Sequence, residues 1–316
     1  MSNAASGTTA EACARGECSG PALEPIPARE TTLGGLPIRR LLPAPRRRLV
    51  GAWCFLDAFG PLAFDGSAKP MDVPPHPHIG LQTVSWLVDG EVLHKDSLGC
   101  EELAVSGTLN LMTSGRGIAH SEESPAMHSG RLEGVQLWVA LPDGDRQVGP
   151  SFEHHPELPV VESPGLRATV ILGSLDGRRS PGRAFSPIVG ADVLVEPGTA
   201  ATLPLEPGFE HAAMLLRGAG RVAGAPLEPS TLLYLGTGRA ELALRAGDDL
   251  PLRVLLLGGA PFGETVLMWW NFVARSTDEI REAREDWQAG RRFGDVQAYD
   301  GARLDAPPFV ARPVPR

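Results

Sequence analysis

A chain of 316 residues exceeds one small core and suits two domains of ordinary size. Its formal net charge of −9 opposes steering toward phosphate backbones, so direct nucleic-acid binding is not expected. No apolar run reaches the roughly 18 to 20 residues that a membrane-spanning helix requires, and 37 scattered glycines and 30 prolines favour turns and short strands over long helices.

In chain order, residues 1 to 28 are rich in Ala, Ser, Gly and Glu and read as a disordered polar tail with no apolar segment of signal-peptide length. Cys13 and Cys18 lie in it. Their spacing suits a metal or a disulfide, but no second half of a zinc motif follows. Four cysteines in all fit a reducing compartment, and a cytoplasmic location is expected. Arg46, Arg47 and Arg48 read as a solvated edge.

Residues 29 to 156 break into short apolar segments: Gly51 to Leu56, Leu81 to Val88, Thr108 to Met112 and Val135 to Ala140. Asp89-Gly90 after the second is a hairpin signal. This is the pattern of a small antiparallel barrel. Residues 157 to 275 repeat it with strands at 191–195, 212–216, 231–235, 240–244 and 252–257. The stretch from Val84 to Glu91 resembles that from Ala213 to Gly220, and Leu111 to Gly117 resembles Leu233 to Arg239. The fold class that follows is all-β, two tandem small barrels. Trp269-Trp270-Asn271-Phe272 is expected to be buried against a barrel. From Ser276 the character changes. A capping box at Ser276–Glu279 predicts a helix of about 13 residues ended by Gly290, and the Pro-rich residues 306 to 316 read as a loose tail.

The chemistry gathers in the first barrel. His76-Pro77-His78 places two imidazoles on one face of a strand, because alternate strand residues share a face. His120 and Glu122 have the same spacing after the turn Gly115-Arg116-Gly117. Two such strands facing each other supply three nitrogens and a carboxylate, the donor set of a transition-metal site with open positions. His94, followed by Asp96, either faces the pocket or bonds a turn. His128, His154 and His155 read as solvated loop residues. The second repeat holds one histidine, His211, which cannot build such a site and is read as structural or exposed. Nothing near Cys100 argues for a lowered thiol pKa.

His76-Pro-His78-x-Gly80 with Thr83-Val-Ser85, His94 with Asp96 and Gly99, the block Met112 to Glu122 and the strand Gln136-Leu-Trp-Val139 together resemble the pirin family of the cupin superfamily. Phe55-Leu-Asp57-x-Phe59-Gly-Pro61 continues the likeness upstream. The resemblance spans about residues 35 to 295, closely in the first domain and loosely in the second. It implies two tandem cupin domains with a short C-terminal α-helix and one divalent metal, Fe(II), in the N-terminal barrel on His76, His78, His120 and Glu122. It also implies quercetin 2,3-dioxygenase activity: a small flavonol-like aromatic and dioxygen as substrates, with Glu122 as ligand and general base. Phe59, Trp86, His94 and Met112 are candidate pocket residues, although strand parity can equally turn Trp86 or Met112 to the far side of the sheet. Other family members act as regulators through protein partners. The alternative expectation is therefore a non-catalytic, redox-sensing iron protein.

Overall fold

The computed structural model describes residues 11–13, 20–33, 35–65 and 68–309. The metal or disulfide reading of Cys13 and Cys18, and residues 310–316 of the predicted tail, lie outside the described side chains. In chain order the strands are β1 (Glu11–Cys13), β2 (Pro21–Pro27), β3 (Arg29–Leu33), β4 (Leu36–Leu42), β5 (Trp53–Ala63), β6 (Asp72–His78), β7 (Leu81–Asp96) and β8 (Glu101–Val105). There follow β9 (Leu109–Thr113), β10 (Ile118–Glu123), β11 (Arg131–Ala140), β12 (Ser151–His155), β13 (Val160–Ser163), β14 (Leu166–Leu175), β15 (Arg178–Arg179), β16 (Ile188–Val195) and β17 (Ala200–Pro204). The chain closes with β18 (Glu210–Gly218), β19 (Gly220–Val222), β20 (Ala225–Pro226), β21 (Thr231–Gly236), β22 (Glu241–Ala246), β23 (Leu252–Gly259), β24 (Val266–Trp269), β25 (Phe272–Ala274) and α1 (Thr277–Gln288).

The first barrel is one ten-stranded sheet ordered β12-β9-β7-β11-β5-β4-β3, with β8 and β10 on β7 and β6 on β10. The second consists of an eight-stranded sheet, β13-β14-β16-β23-β18-β21-β2 with β15 on β14, and a four-stranded sheet, β17-β22-β19-β20. The sequence repeat has its counterpart in the pairing: β7 lies between β9 and β11 as β18 lies between β21 and β23. Apolar faces of both barrels meet in one buried cluster, where Trp53, Val84, Trp86 and Leu111 pack with Leu172, Ile188, Met214 and Leu257. The Trp53 indole enters the second barrel and donates to Val189 O at 3.1 Å and Gly258 O at 3.2 Å. Gly190 makes room for it, since a Cβ there would stand 2.8 Å from the indole.

Several sequence expectations need correction. Asp89-Gly90 makes no hairpin; β7 runs through it for 16 residues. Burial continues to alternate beyond Gly90, with Val92, His94 and Asp96 inside, so the strand has reason to persist. Gly90 adopts φ +88° beside a register shift against β11, and a Cβ there would meet Arg131 O at 2.1 Å. The dipeptide is thus a bulge that bends one long strand. Its first half pairs with β9 and β11 and its second half with β8 and β10.

Residues 21–27, assigned to the tail by their polarity, form β2 on the edge of the second barrel, paired with β21. Their hydrogen bonds come from a distant strand, which composition does not reveal. Arg47 is not solvated: it is 5% exposed, with its guanidinium 3.7 Å from the Tyr234 ring centroid. His154 and His155 are half-buried on β12 rather than in a loop. Within 306–316, Ala306 is buried and the Phe309 ring lies 5.2 Å from that of Trp269, so the tail begins later than its prolines suggest.

The helix is as its capping signature predicts. Ser276 Oγ accepts from Glu279 N at 3.2 Å, the Glu279 carboxylate accepts from Arg275 N, and Gly290 takes φ +67° after the last turn. It buries Ile280, Ala283 and Trp287 against Trp269, Trp270 and Phe272. Among the described residues no helix is long and apolar enough to cross a membrane.

Candidate metal centre

β6 and β10 pair antiparallel with His120 opposite His76 and Ile118 opposite His78. The period of two therefore brings His76, His78 and His120 to one point, and one ring nitrogen from each lies within 4.8 Å of the others. The Nε2 atoms of His78 and His120 are 3.1 Å apart. All three rings are fully buried.

The outer nitrogen of each ring has its own partner. His76 Nδ1 is 2.9 Å from Pro74 O, and His78 Nδ1 is 3.0 Å from Asn271 O. Each carbonyl can only accept, so each Nδ1 carries the proton and each Nε2 presents a lone pair inward. His120 Nδ1 lies 3.3 Å from His94 Nδ1, and His94 Nε2 lies 3.1 Å from Asp96 Oδ2. With His94 donating to the carboxylate, its Nδ1 accepts from His120, and His120 Nε2 also points inward as a lone pair.

Burial holds all three imidazoles neutral, His76 down to about 3 and His78 and His120 well below the ordinary histidine value. Among the described residues, buried His76 Nε2 has no hydrogen-bond partner. Three convergent neutral imidazoles fit the donor set of a divalent transition metal.

Glu122 follows on the same strand face, 2% exposed, with Oε1 3.4 Å from Ser85 Oγ. Of the pocket candidates, His94 lies against His120 and stacks on Phe152 at 4.3 Å. Met112 is opposite Thr83 across the strand pair, on the face that Ser85 presents to Glu122. Trp86 points the other way: its indole donates to Asp192 Oδ2 of the second barrel at 2.9 Å. Phe59 packs in an apolar cluster with Leu36, Val73 and Leu87.

Sequence reasoning missed Ser85, Gln136, Trp138 and Phe152, which line the same face, and the Asn271 carbonyl, which orients His78. The strand motif holding Gln136 and Trp138 was visible, but only the register β11–β7 places them beside the imidazoles. His211 is fully buried, and burial lowers it to about 4. Burial and the Asp96 carboxylate push the Cys100 thiol up, so it is no activated nucleophile.

Comparison with known proteins agrees with this architecture. The pirin family profile covers residues 35–139, and the profile described as the pirin C-terminal cupin domain covers 190–294. A protein of Pseudomonas aeruginosa named "Putative quercetin 2,3-dioxygenase PA1205" is 45% identical over 289 residues, 91% of this chain and 90% of that one. A pirin-like protein of Caulobacter vibrioides is 40% identical over 272 residues, 84% of this chain and 92% of its own. The crystal structure of a quercetin 2,3-dioxygenase from Acinetobacter baumannii superposes with a TM-score of 0.86 at 43% identity, covering 90% of this chain and 95% of that one. With two cupin domains and a buried three-histidine site in the first, this chain belongs to the pirin family.

Proposed function

We propose that this chain is an Fe(II)-dependent dioxygenase of the quercetin 2,3-dioxygenase type, acting on a flavonol-like aromatic and dioxygen. The observation that carries the reading is the gathering of three neutral imidazoles with ring nitrogens within 4.8 Å of one another; the buried Glu122 carboxylate lies outside that group, two residues from His120 on the same strand. His76, His78 and His120 would hold the metal, with Glu122 as the fourth ligand. Four protein donors leave about two of six positions open, whereas structural sites are saturated by protein ligands. A bound metal would supply Lewis acidity toward a substrate hydroxyl and the electron exchange that dioxygen chemistry needs.

The protein's own groups do the rest. Glu122, swung toward the substrate, would accept the hydroxyl proton; the Ser85 hydroxyl lies 3.4 Å from its Oε1. Trp138, Met112 and Phe152 form the apolar wall against which an aromatic ring would lie. The names of the relatives at 43% and 45% identity support the substrate class.

The test is anaerobic reconstitution with Fe(II), metal quantification, then oxygen uptake with quercetin beside His76→Ala. About one iron per chain, with uptake that His76→Ala abolishes, is the expected result. One iron per chain without uptake moves the assignment to a redox-sensing regulator, and the next assay is then partner binding in the two iron oxidation states.

A further inference from the structure

The wall facing the imidazoles is built from two cross-strand rows whose register can be read residue by residue. One row runs Asp57, Gln136, Ser85, Asn110, His154 across β5, β11, β7, β9 and β12. The next runs Phe55, Trp138, Thr83, Met112, Phe152 across the same strands. Directly opposed residues share a face. Both rows therefore lie on the site side: Ser85 reaches Glu122, and Trp138 stands edge-on to His78 at 5.2 Å.

Among the described residues the polar row is incompletely satisfied, and always in the same sense. The Ser85 hydroxyl is 2.8 Å from Gln136 Oε1, which spends that oxygen and leaves Gln136 Nε2 unpaired. Asn110 Oδ1 lies 2.6 Å from His154 Nδ1, which leaves Asn110 Nδ2 unpaired. The Trp138 indole N–H, in the adjacent row, is unpaired too. Gln136, Asn110 and Trp138 are at most 3% exposed. Ser85, Phe152 and His154 keep partial exposure and leave a way in. Buried polar groups in native proteins are nearly always bonded. Three orphans on one wall, all N–H donors, are the imprint of a ligand that brings acceptor oxygens.

We infer that Gln136 and Asn110 are specificity-determining residues of this site, donating from Nε2 and Nδ2 to acceptor oxygens of an oxygenated aromatic whose ring lies along Trp138, Met112 and Phe152. The inference rests on the flavonol reading above and adds which part of the substrate the protein recognises apart from the metal. An apolar isostere or a molecule offering only donors leaves these N–H groups buried and unpaired, and a site of this kind rejects such molecules strongly.

The test is anaerobic titration of metal-loaded protein with quercetin, followed by its absorbance shift, for the unaltered chain, Gln136→Met, Gln136→Glu and Asn110→Leu. Gln136→Glu keeps the acceptor for Ser85 and replaces only the donor. It serves as the variant to read if the apolar one folds poorly. Imidazole, a metal ligand with no acceptor oxygen, is the control probe. Expected are unchanged metal content and imidazole affinity, with quercetin weakened at least tenfold in each variant. Quercetin affinity equal to that of the unaltered chain overturns the inference, as does equal weakening of quercetin and imidazole, which would mean general damage to the site. Donor-dependent quercetin binding without any oxygen uptake would overturn the dioxygenase reading and leave this one standing. No quercetin binding by the unaltered chain would overturn both.

Discussion

His94 Nδ1 stands 3.3 Å from His120 Nδ1, and the far nitrogen of His94 is 3.1 Å from the Asp96 carboxylate. The carboxylate thereby decides, through two rings, which nitrogen of His120 carries its proton. Partners of this sort orient a metal-bound imidazole and commonly account for 10- to 100-fold of affinity. His94→Phe is expected to lower metal affinity by about that factor, and Asp96→Asn to shift it in the same direction. Competition with a chromogenic chelator measures both.

His76→Ala and His78→Ala remove a donor outright and are expected to leave less than a tenth of the metal content after desalting. Glu122→Gln separates two roles. A turnover loss larger than the loss of metal content marks Glu122 as the base. Equal losses mark it as a ligand alone. Metal quantification beside oxygen uptake on the same samples distinguishes the two.

The pH response of metal-free protein follows from the buried rings. His76 is held down to about 3 and His211 to about 4, with His78 and His120 also depressed. An unfolded histidine titrates near 6.5, so below that pH the unfolded chain takes up protons that the native chain refuses. The stability these groups contribute is complete above about pH 6.5 and is lost as the pH falls toward their depressed native values. Tm of chelator-treated protein is expected to fall across this window. The fall should be shallower in His76→Gln, and an identical slope in both would show that His76 contributes nothing to it.

Trp86→Phe is a prediction about packing, not chemistry. It removes the donor to Asp192, which keeps Arg253 as a partner, and is expected to cost about 1–3 kcal/mol. Metal content and turnover should not change. Chemical denaturation with metal analysis checks both, and a lost metal would return Trp86 to the site.

Why some of this was legible in the sequence and some was not comes down to the range of the contacts. His76, His78, His120 and Glu122 announce themselves because a period of two needs only local geometry. The Ser276 cap and Gly290 stop are local as well. Asn271 O bonds His78 from 193 positions away, and the Gln136–Ser85–Asn110 row exists only through register across three strands. Asp89-Gly90 misled for the opposite reason. The local signal was real, but pairing to four neighbouring strands made a bulge cheaper than a turn.

The two strands that precede the first barrel both pair far down the chain, β1 with β24. β2 docks on β21, and Gly20 N–H donates to Thr237 Oγ1, 217 positions downstream. On a ribosome this strand emerges before any of the first barrel, yet its partner is made last but for a few strands. Vectorial, barrel-by-barrel maturation cannot be complete for this chain. The N-terminal strand must wait, unsheltered, until the second barrel exists, and contacts of such separation slow the final closure. A fragment ending after the first barrel would carry an orphan strand, and a fragment holding only the second would carry a bare sheet edge open to self-association.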